Sequence, residues 1–121
     1  MHTFSLVHDD LPALDDDDLR RGQASAHVRF GEDVAILTGD ALLAEAFRLA
    51  LRYPSPLVAR ELADATLGMI GGQYLDVTTD GDVDAAGLRR LHALKTGRLL
   101  CAAVTTATAV AGLSEEERAP W

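Results

Sequence analysis

The most informative part of the sequence is His8-Asp9-Asp10-Leu11-Pro12-Ala13-Leu14-Asp15-Asp16-Asp17-Asp18-Leu19-Arg20-Arg21-Gly22. Six carboxylates fall within ten residues, and two guanidinium groups follow directly. Like charges at this density repel one another and destabilise a compact state unless something neutralises them. Mg²⁺ takes oxygen ligands and commonly combines one or two carboxylates with phosphates, and arginine binds phosphate oxygens bidentately. The residues therefore indicate a site for a Mg²⁺-bridged phosphate or diphosphate, and the alternative is a solvated acidic turn.

The composition limits the class of protein. A length of 121 residues predicts one domain, and 48% apolar residues with only 5% aromatic ones predict a helical chain rich in Ala and Leu. A net charge of −8 excludes a nucleic-acid surface. The single Cys101 permits no internal disulfide. The uncharged run 99–114 is shorter than a membrane span. The N-terminal residues lack the basic region and apolar stretch that are typical of a signal peptide. We therefore expect a soluble cytoplasmic protein.

The periodicity of apolar residues predicts helices over 1–11, 33–52, 56–76 and 84–112, with 16–32 as a loop or short turns. The second of these is apolar over a wide surface, which suits a helix buried in a bundle. Gly97 is a possible break in the last one, and Cys101 is expected to be a small core residue. Ser114 to Glu117 has the pattern of a capping box, although little chain follows it to form a helix.

Pro12 has a consequence for the acidic stretch. Proline cannot donate to the carbonyl of His8, so the first helix should bend or stop there. On an unbroken helix Asp9 and Asp15 would point about 240° apart around the axis. A break between them is therefore required if both carboxylates are to reach the same metal ions.

The order of residues in this stretch closely resembles the first aspartate-rich motif of the trans-polyprenyl synthases, the family of farnesyl and geranylgeranyl diphosphate synthases. The form here has two extra residues between the aspartates, as in bacterial short-chain members. The resemblance continues in the same order along nearly the whole chain, through Ala26-His27-Val28-Arg29-Phe30-Gly31-Glu32, Leu37-Thr38-Gly39-Asp40-Ala41-Leu42, Gly68-Met69-Ile70-Gly71-Gly72-Gln73 and His92-Ala93-Leu94-Lys95-Thr96-Gly97.

The resemblance implies an all-α fold, a partial isoprenoid-synthase bundle with the middle four or so helices around the prenyl cavity, and a single partial domain over 1–121. It implies a Mg²⁺-dependent prenyltransferase of isoprenoid biosynthesis. Such an enzyme condenses an allylic diphosphate (dimethylallyl, geranyl or farnesyl) with isopentenyl diphosphate, and it is a homodimer when intact.

It also implies roles for individual residues. The Mg²⁺ ligands would be Asp9 and Asp15, with Asp10 supporting them. Arg20 would contact the allylic diphosphate, and Arg21 and His2 the diphosphate of isopentenyl diphosphate. A bulky residue at the position of Phe4 closes the cavity floor, which implies a product of about the farnesyl class. By the same resemblance, Lys95 and Thr96 would bind the allylic diphosphate. Lys95 and Gln73 would take part in catalysis, and Asp76 would line the cavity.

Two elements of the family have no counterpart here: an upstream Gly-Lys-Arg element and a second aspartate-rich motif after Lys95. The sequence begins inside one helix and stops at the start of another, so we expect a piece of a larger synthase, truncated at both ends. The alternative is a catalytically inactive remnant that binds Mg²⁺-diphosphate or a partner subunit. A third possibility, an acidic helical interaction module, would be indifferent to diphosphate.

Overall fold

The structure is a computed structural model that describes residues 1–79, 81 and 83–119. It is all-α apart from one short hairpin, as predicted. The elements in chain order are α1 (His2–Asp9), β1 (Leu19–Arg20), β2 (Gln23–Ala24), α2 (Ala26–Phe30), α3 (Glu32–Ala50), α4 (Leu57–Thr78), α5 (Ala85–His92), a π-helical turn (Ala93–Gly97), α6 (Arg98–Val110) and α7 (Glu115–Arg118). Among the described helices, none combines the length and the apolar character that a bilayer crossing demands.

The chain packs as two compact units, Met1–Leu49 and the residues from Ala50 onward, and each is described by itself. The assignment of the whole chain to a single partial domain stays a prediction.

In the first unit, α1 ends at Asp9, three residues before Pro12, so the predicted break is confirmed. Met1 precedes the helix without a side-chain cap. The backbone then forms a series of tight turns over 10–15 instead of continuing as a helix.

The segment 16–32, predicted as loop or short turns, contains a hairpin and the five-residue helix α2. In the hairpin Leu19 lies opposite Ala24 and Arg20 opposite Gln23, which leaves a two-residue connection. Its residues, Arg21 and Gly22, have φ of 55° and 77°. Positive φ at both positions is typical of the type I′ turn that matches the twist of a hairpin. The sequence signal is weak because Arg, unlike Asn, Asp or Gly, is not favoured there.

Helix α3 packs through small residues. Ala35 and Gly39 are buried one turn apart on one face, and Gly39 lies against the ring of His8. The larger side chains of Val34, Ile36 and Leu37 are exposed, Leu37 by 67%. The expectation that this helix is buried in a bundle is therefore wrong for much of its apolar surface: the small residues Ala35 and Gly39 are buried, whereas larger side chains are exposed or half-buried.

In the second unit α4 packs beside the long helix formed by α5, the π-helical turn and α6. Position 76 of α4 contacts position 95, whereas position 68 contacts position 98, so the two helices run antiparallel. The buried residues of this helical hairpin are mostly small or flexible: Val58, Ala65, Thr66, Met69, Gly72, Leu91 and Ala102.

Two expectations for the end of the chain need correction. Cys101 is exposed instead of being a core residue, because its neighbour Ala102 occupies the buried face and each residue turns the helix by about 100°. The capping box at Ser114 and Glu117 is confirmed, and one turn of helix, α7, does follow it. The sequence Thr79-Asp80-Gly81-Asp82 predicts a turn between the two helices of the second unit, but positions 80 and 82 lie outside the described residues.

Candidate active site

The turns after α1 bring the main chains of two predicted metal ligands, Asp9 and Asp15, into contact. The amide of Asp15 donates to the carbonyl of Asp9 at 2.9 Å, closing a loop of the intervening residues. Inside this loop Leu14 donates to Leu11 at 2.8 Å. Asp9 is half-buried and Asp15 exposed. A helix would separate these two residues by more than a turn and a half, whereas here their main chains are in direct contact.

Asp10, between them, is buried and paired with Arg20 of the hairpin. Arg20 Nε donates to Asp10 Oδ1 at 2.9 Å, its terminal nitrogen donates to the same oxygen, and that nitrogen also reaches Asp17 Oδ2 at 3.1 Å. The hydrogen bond to Asp10, together with the negative charges of neighbouring aspartates, raises the pKa of Arg20. The hairpin thus holds one arginine against the acidic loop and keeps it charged. Whether Asp10 also supports the metal stays a prediction.

His8 connects α1 to α3. Its Nε2 lies 3.0 Å from the carbonyl oxygen of Ile36 and 3.9 Å from Asp40 Oδ1. An added Cβ at Gly39 would lie 2.0 Å from the same nitrogen, so only glycine leaves room for the ring. His8 therefore fixes the end of α1, and with it Asp9, against α3. Asp40, in the middle of α3, needs no such partner, because its side chain is 62% exposed to solvent.

Phe4 is buried one turn before His8, with the two rings edge to face at 5.8 Å between centroids. His2 is exposed at the start of α1, and Arg21 is exposed at the tip of the hairpin. These positions leave the chain-length role of Phe4 and the substrate contacts of His2 and Arg21 as predictions.

The second unit brings Lys95 and Asp76 together. Lys95 Nζ donates to Asp76 Oδ2 at 2.5 Å, joining the π-helical turn to α4. Thr96 follows in the same turn and is exposed. Gln73 Nε2 is buried and has no hydrogen-bond partner among the described residues. A buried amide without a partner is costly, and it is the kind of group that a bound ligand can satisfy.

Sequence reasoning missed one feature of this region. The π-helical turn over 93–97 carries the Lys95-Thr96-Gly97 motif, and such turns are rare overall but frequent at functional sites. The Gly71-Gly72 pair predicts close helix packing or ligand approach, and Gly72 does lie in close contact with this turn. Nothing in the sequence indicates which of the two glycines is needed.

The donors present in the first unit fit Mg²⁺ in chemistry. Across residues 1–79, 81 and 83–119, no group of three or more His, Cys, Asp or Glu side chains is placed to hold a metal. Mg²⁺ sites with substrate phosphates commonly use only one or two carboxylates. Asp9 and Asp15, joined through their backbones, can supply that number if phosphate oxygens and water complete the shell.

Comparison with known proteins identifies the family of the chain. The family model for polyprenyl synthetase matches residues 1–121, and the chain belongs to that family. It is 42% identical over 128 residues to geranylgeranyl diphosphate synthase of Cyanophora paradoxa, covering 97% of this chain and 43% of the relative. It is 47% identical over 123 residues to farnesyl diphosphate synthase of Escherichia coli (strain K12), covering 93% and 41%.

Solved structures show the same fold. Geranyltranstransferase of Thermotoga maritima superposes with a TM-score of 0.88 at 32% identity, covering 97% of this chain and 45% of that one. A polyprenyl synthetase from Streptomyces coelicolor A3(2) gives a TM-score of 0.87 at 32% identity, covering 95% and 35%. The predicted family and fold class are confirmed. The chain spans about two-fifths of the length of the curated relatives it matches.

Proposed function

We propose that this chain carries part of the active site of a Mg²⁺-dependent trans-prenyltransferase, which joins an allylic diphosphate to isopentenyl diphosphate. The proposal is supported by family membership and by the names of the relatives, which are farnesyl and geranylgeranyl diphosphate synthases. The single observation that supports it most is the hydrogen bond from the Asp15 amide to the Asp9 carbonyl, because it brings the main chains of two residues with metal-binding side chains into contact.

In such a reaction the allylic carbon–oxygen bond breaks and diphosphate leaves with the electron pair. The double bond of isopentenyl diphosphate attacks the resulting carbocation, and loss of a proton restores an alkene. The barrier lies in charge separation, so the groups that matter are those that stabilise the departing diphosphate. Bound Mg²⁺ supplies Lewis-acid stabilisation of that leaving group.

The residues of the first unit have distinct tasks in this proposal. Asp9 and Asp15 hold Mg²⁺. Asp10 orients Arg20, which is charged at any accessible pH and ready to bind the allylic diphosphate. Arg21 and His2 bind the diphosphate of isopentenyl diphosphate, and Phe4 limits the product to about the farnesyl class.

In the second unit Lys95 and Thr96 bind the allylic diphosphate, and Gln73 offers its buried Nε2 to the substrate. Homodimerisation of the intact enzyme and a cytoplasmic location belong to the same proposal. One relative is the large subunit of a heterodimeric geranylgeranyl pyrophosphate synthase, so pairing with a different subunit is the alternative arrangement.

The experiment is thermal unfolding of the 121-residue chain with Mg²⁺ alone, inorganic diphosphate alone, and both together. A ligand that binds only the folded state raises its stability, by about 2.7 kcal/mol at about a hundredfold excess over Kd. We expect stabilisation only when both components are present, and its loss in Asp9→Asn. Asp16→Asn is the matched control, because it removes one charge from the same acidic run and asparagine suits the positive φ of 52° there.

If both variants lose the joint effect, the binding of Mg²⁺ and diphosphate depends on the net charge of the acidic run and not on a defined site. No joint effect in the wild type would overturn the proposal. If the joint effect is present, incubation with geranyl diphosphate and labelled isopentenyl diphosphate separates an active synthase from the alternative, a chain that binds Mg²⁺-diphosphate without turnover.

A further inference from the structure

The π-helical turn and α4 approach so closely at one position that no side chain fits between them. A Cβ built on Gly72 would lie 2.3 Å from the Lys95 amide nitrogen, 2.7 Å from its Cα and 2.9 Å from the carbonyl carbon of Leu94. All three atoms belong to the backbone, which cannot swing aside as a side chain can. Any residue larger than glycine at 72 must therefore push the turn away from α4.

The two neighbouring glycines differ from Gly72. A Cβ at Gly71 would meet nothing within 4 Å, and one at Gly68 would meet only the side chain of Arg98, with its Cγ at 2.8 Å. Arginine is flexible and can move. The close approach is thus confined to Gly72, although all three glycines lie on the same helix.

The same contact region holds the functional group of Lys95. Asp76 follows Gly72 by four residues, so the two lie on one face of α4, and Asp76 Oδ2 accepts from Lys95 Nζ at 2.5 Å. Gln73, between them in sequence, has its buried Nε2 without a partner among the described residues. Lys95 is therefore held at two points, its backbone by Gly72 and its ammonium by Asp76.

We propose that Gly72 is a positioning residue for Lys95: the missing side chain lets the π-helical turn lie against α4, and this contact places the ammonium on Asp76. Its importance for the reaction rests on the proposed function, since Lys95 is assigned there to the allylic diphosphate. The placement itself is a property of the free chain and can be measured without substrate.

The test uses the fact that Lys95 is the only lysine in the sequence. In a chain labelled with ¹⁵N-lysine, a single Nζ signal reports the ammonium group. The variants are Gly72→Ala, the matched control Gly71→Ala, and Asp76→Asn, which marks the chemical shift of Lys95 when its carboxylate partner is removed. Backbone amide exchange over 93–97 is measured in parallel.

We expect Gly71→Ala to keep the wild-type Nζ shift, and Gly72→Ala to move it toward that of Asp76→Asn. We also expect amide exchange over 93–97 to be at least about tenfold faster in Gly72→Ala than in Gly71→Ala. A merely structural loss of stability would change exchange throughout α4 and α6 and leave the Nζ shift in place. An unchanged Nζ shift in folded Gly72→Ala, or equal shifts in the two alanine variants, would overturn the proposal.

If Gly72→Ala does not fold, the wild-type chain still decides the question. The close approach requires a nuclear Overhauser effect between the α protons of Gly72 and the amide proton of Lys95, and its absence would overturn the proposal. Diphosphate binding separates the two claims. If the wild-type chain does not bind Mg²⁺ together with diphosphate, the proposed function is contradicted. The Nζ signal of Lys95 tests the role of Gly72 independently of that result.

Discussion

Asp10 and Arg20 form an ion pair in which the Asp10 side chain is only 4% exposed and the Arg20 side chain is 35% exposed. The pair connects the end of α1 to the hairpin, and so it links the two ends of the acidic loop, residues 9–18. Removing one member of a buried pair is costly, because it leaves the other charge without compensation. The acidic loop should therefore depend on Arg20 even in the absence of ligand.

Arg20→Ala is expected to lower the free energy of unfolding by about 3 kcal/mol, at the low end for a buried pair because Arg20 is itself partly exposed. Urea denaturation measures the change. Arg21→Asn removes the same charge from the adjacent residue, where φ is 55° and asparagine is well tolerated. It should be neutral or slightly stabilising, and equal losses in the two variants would contradict the ion-pair account.

The contact between His8 and Gly39 gives a second prediction. Gly39→Ala would place a Cβ 2.0 Å from the imidazole, so the ring must leave its bond to the Ile36 carbonyl. We expect a loss of about 2 kcal/mol from this overpacking.

A double-mutant cycle with His8→Ala isolates the effect. Once the ring is removed, Gly39→Ala should cost nothing and should even gain helix propensity, so the two changes are strongly non-additive. Additive losses, measured by urea denaturation, would show that Gly39 acts through something other than His8.

The capping box of α7 gives a pH dependence. Hydrogen bonds from the Ser114 amide and hydroxyl to the Glu117 carboxylate lower the pKa of Glu117. A folded pKa below the unfolded one means that the contribution to helix stability is present above the ordinary glutamate pKa. It is lost as the pH falls through the lower folded value.

NMR titration of the side-chain carboxyl carbons tests this directly. Glu117 should titrate at lower pH in the wild-type chain than in Ser114→Ala, where the hydrogen bond from the Ser114 hydroxyl is lost. Identical Glu117 midpoints in the two chains would contradict the capping box.

Much of the architecture follows from the sequence. The long helices are predicted to within a few residues, because the apolar pattern is strong and Pro12, Pro54 and Pro56 mark where helices cannot continue. The break between Asp9 and Asp15 is predicted by one proline together with the geometry of a helix. The family is identified from the order of several motifs, since each alone has an ordinary structural explanation.

The features that the sequence does not predict depend on contacts between distant segments. The type I′ turn at Arg21-Gly22 is stabilised by the hairpin and not by turn propensity alone. No residue pattern in the sequence marks the π-helical turn. Its position is set by packing against Gly72, more than twenty residues earlier. The exposure of Cys101 likewise depends on which face of α6 meets α4, and the small apolar residues and threonines of α6 do not mark that face.

In the proposed active site, Asp9 and Asp15 hold the metal together with diphosphate. Mn²⁺ accepts the same oxygen ligands as Mg²⁺ and broadens nearby NMR signals, so it locates the site directly. With sub-stoichiometric Mn²⁺ and inorganic diphosphate, we expect the amide signals of Asp9 and Asp15 to broaden first, and Asp9→Asn to abolish the effect. Equal broadening of the acidic residues 16–18 and 115–117, unchanged by diphosphate, would contradict the claim.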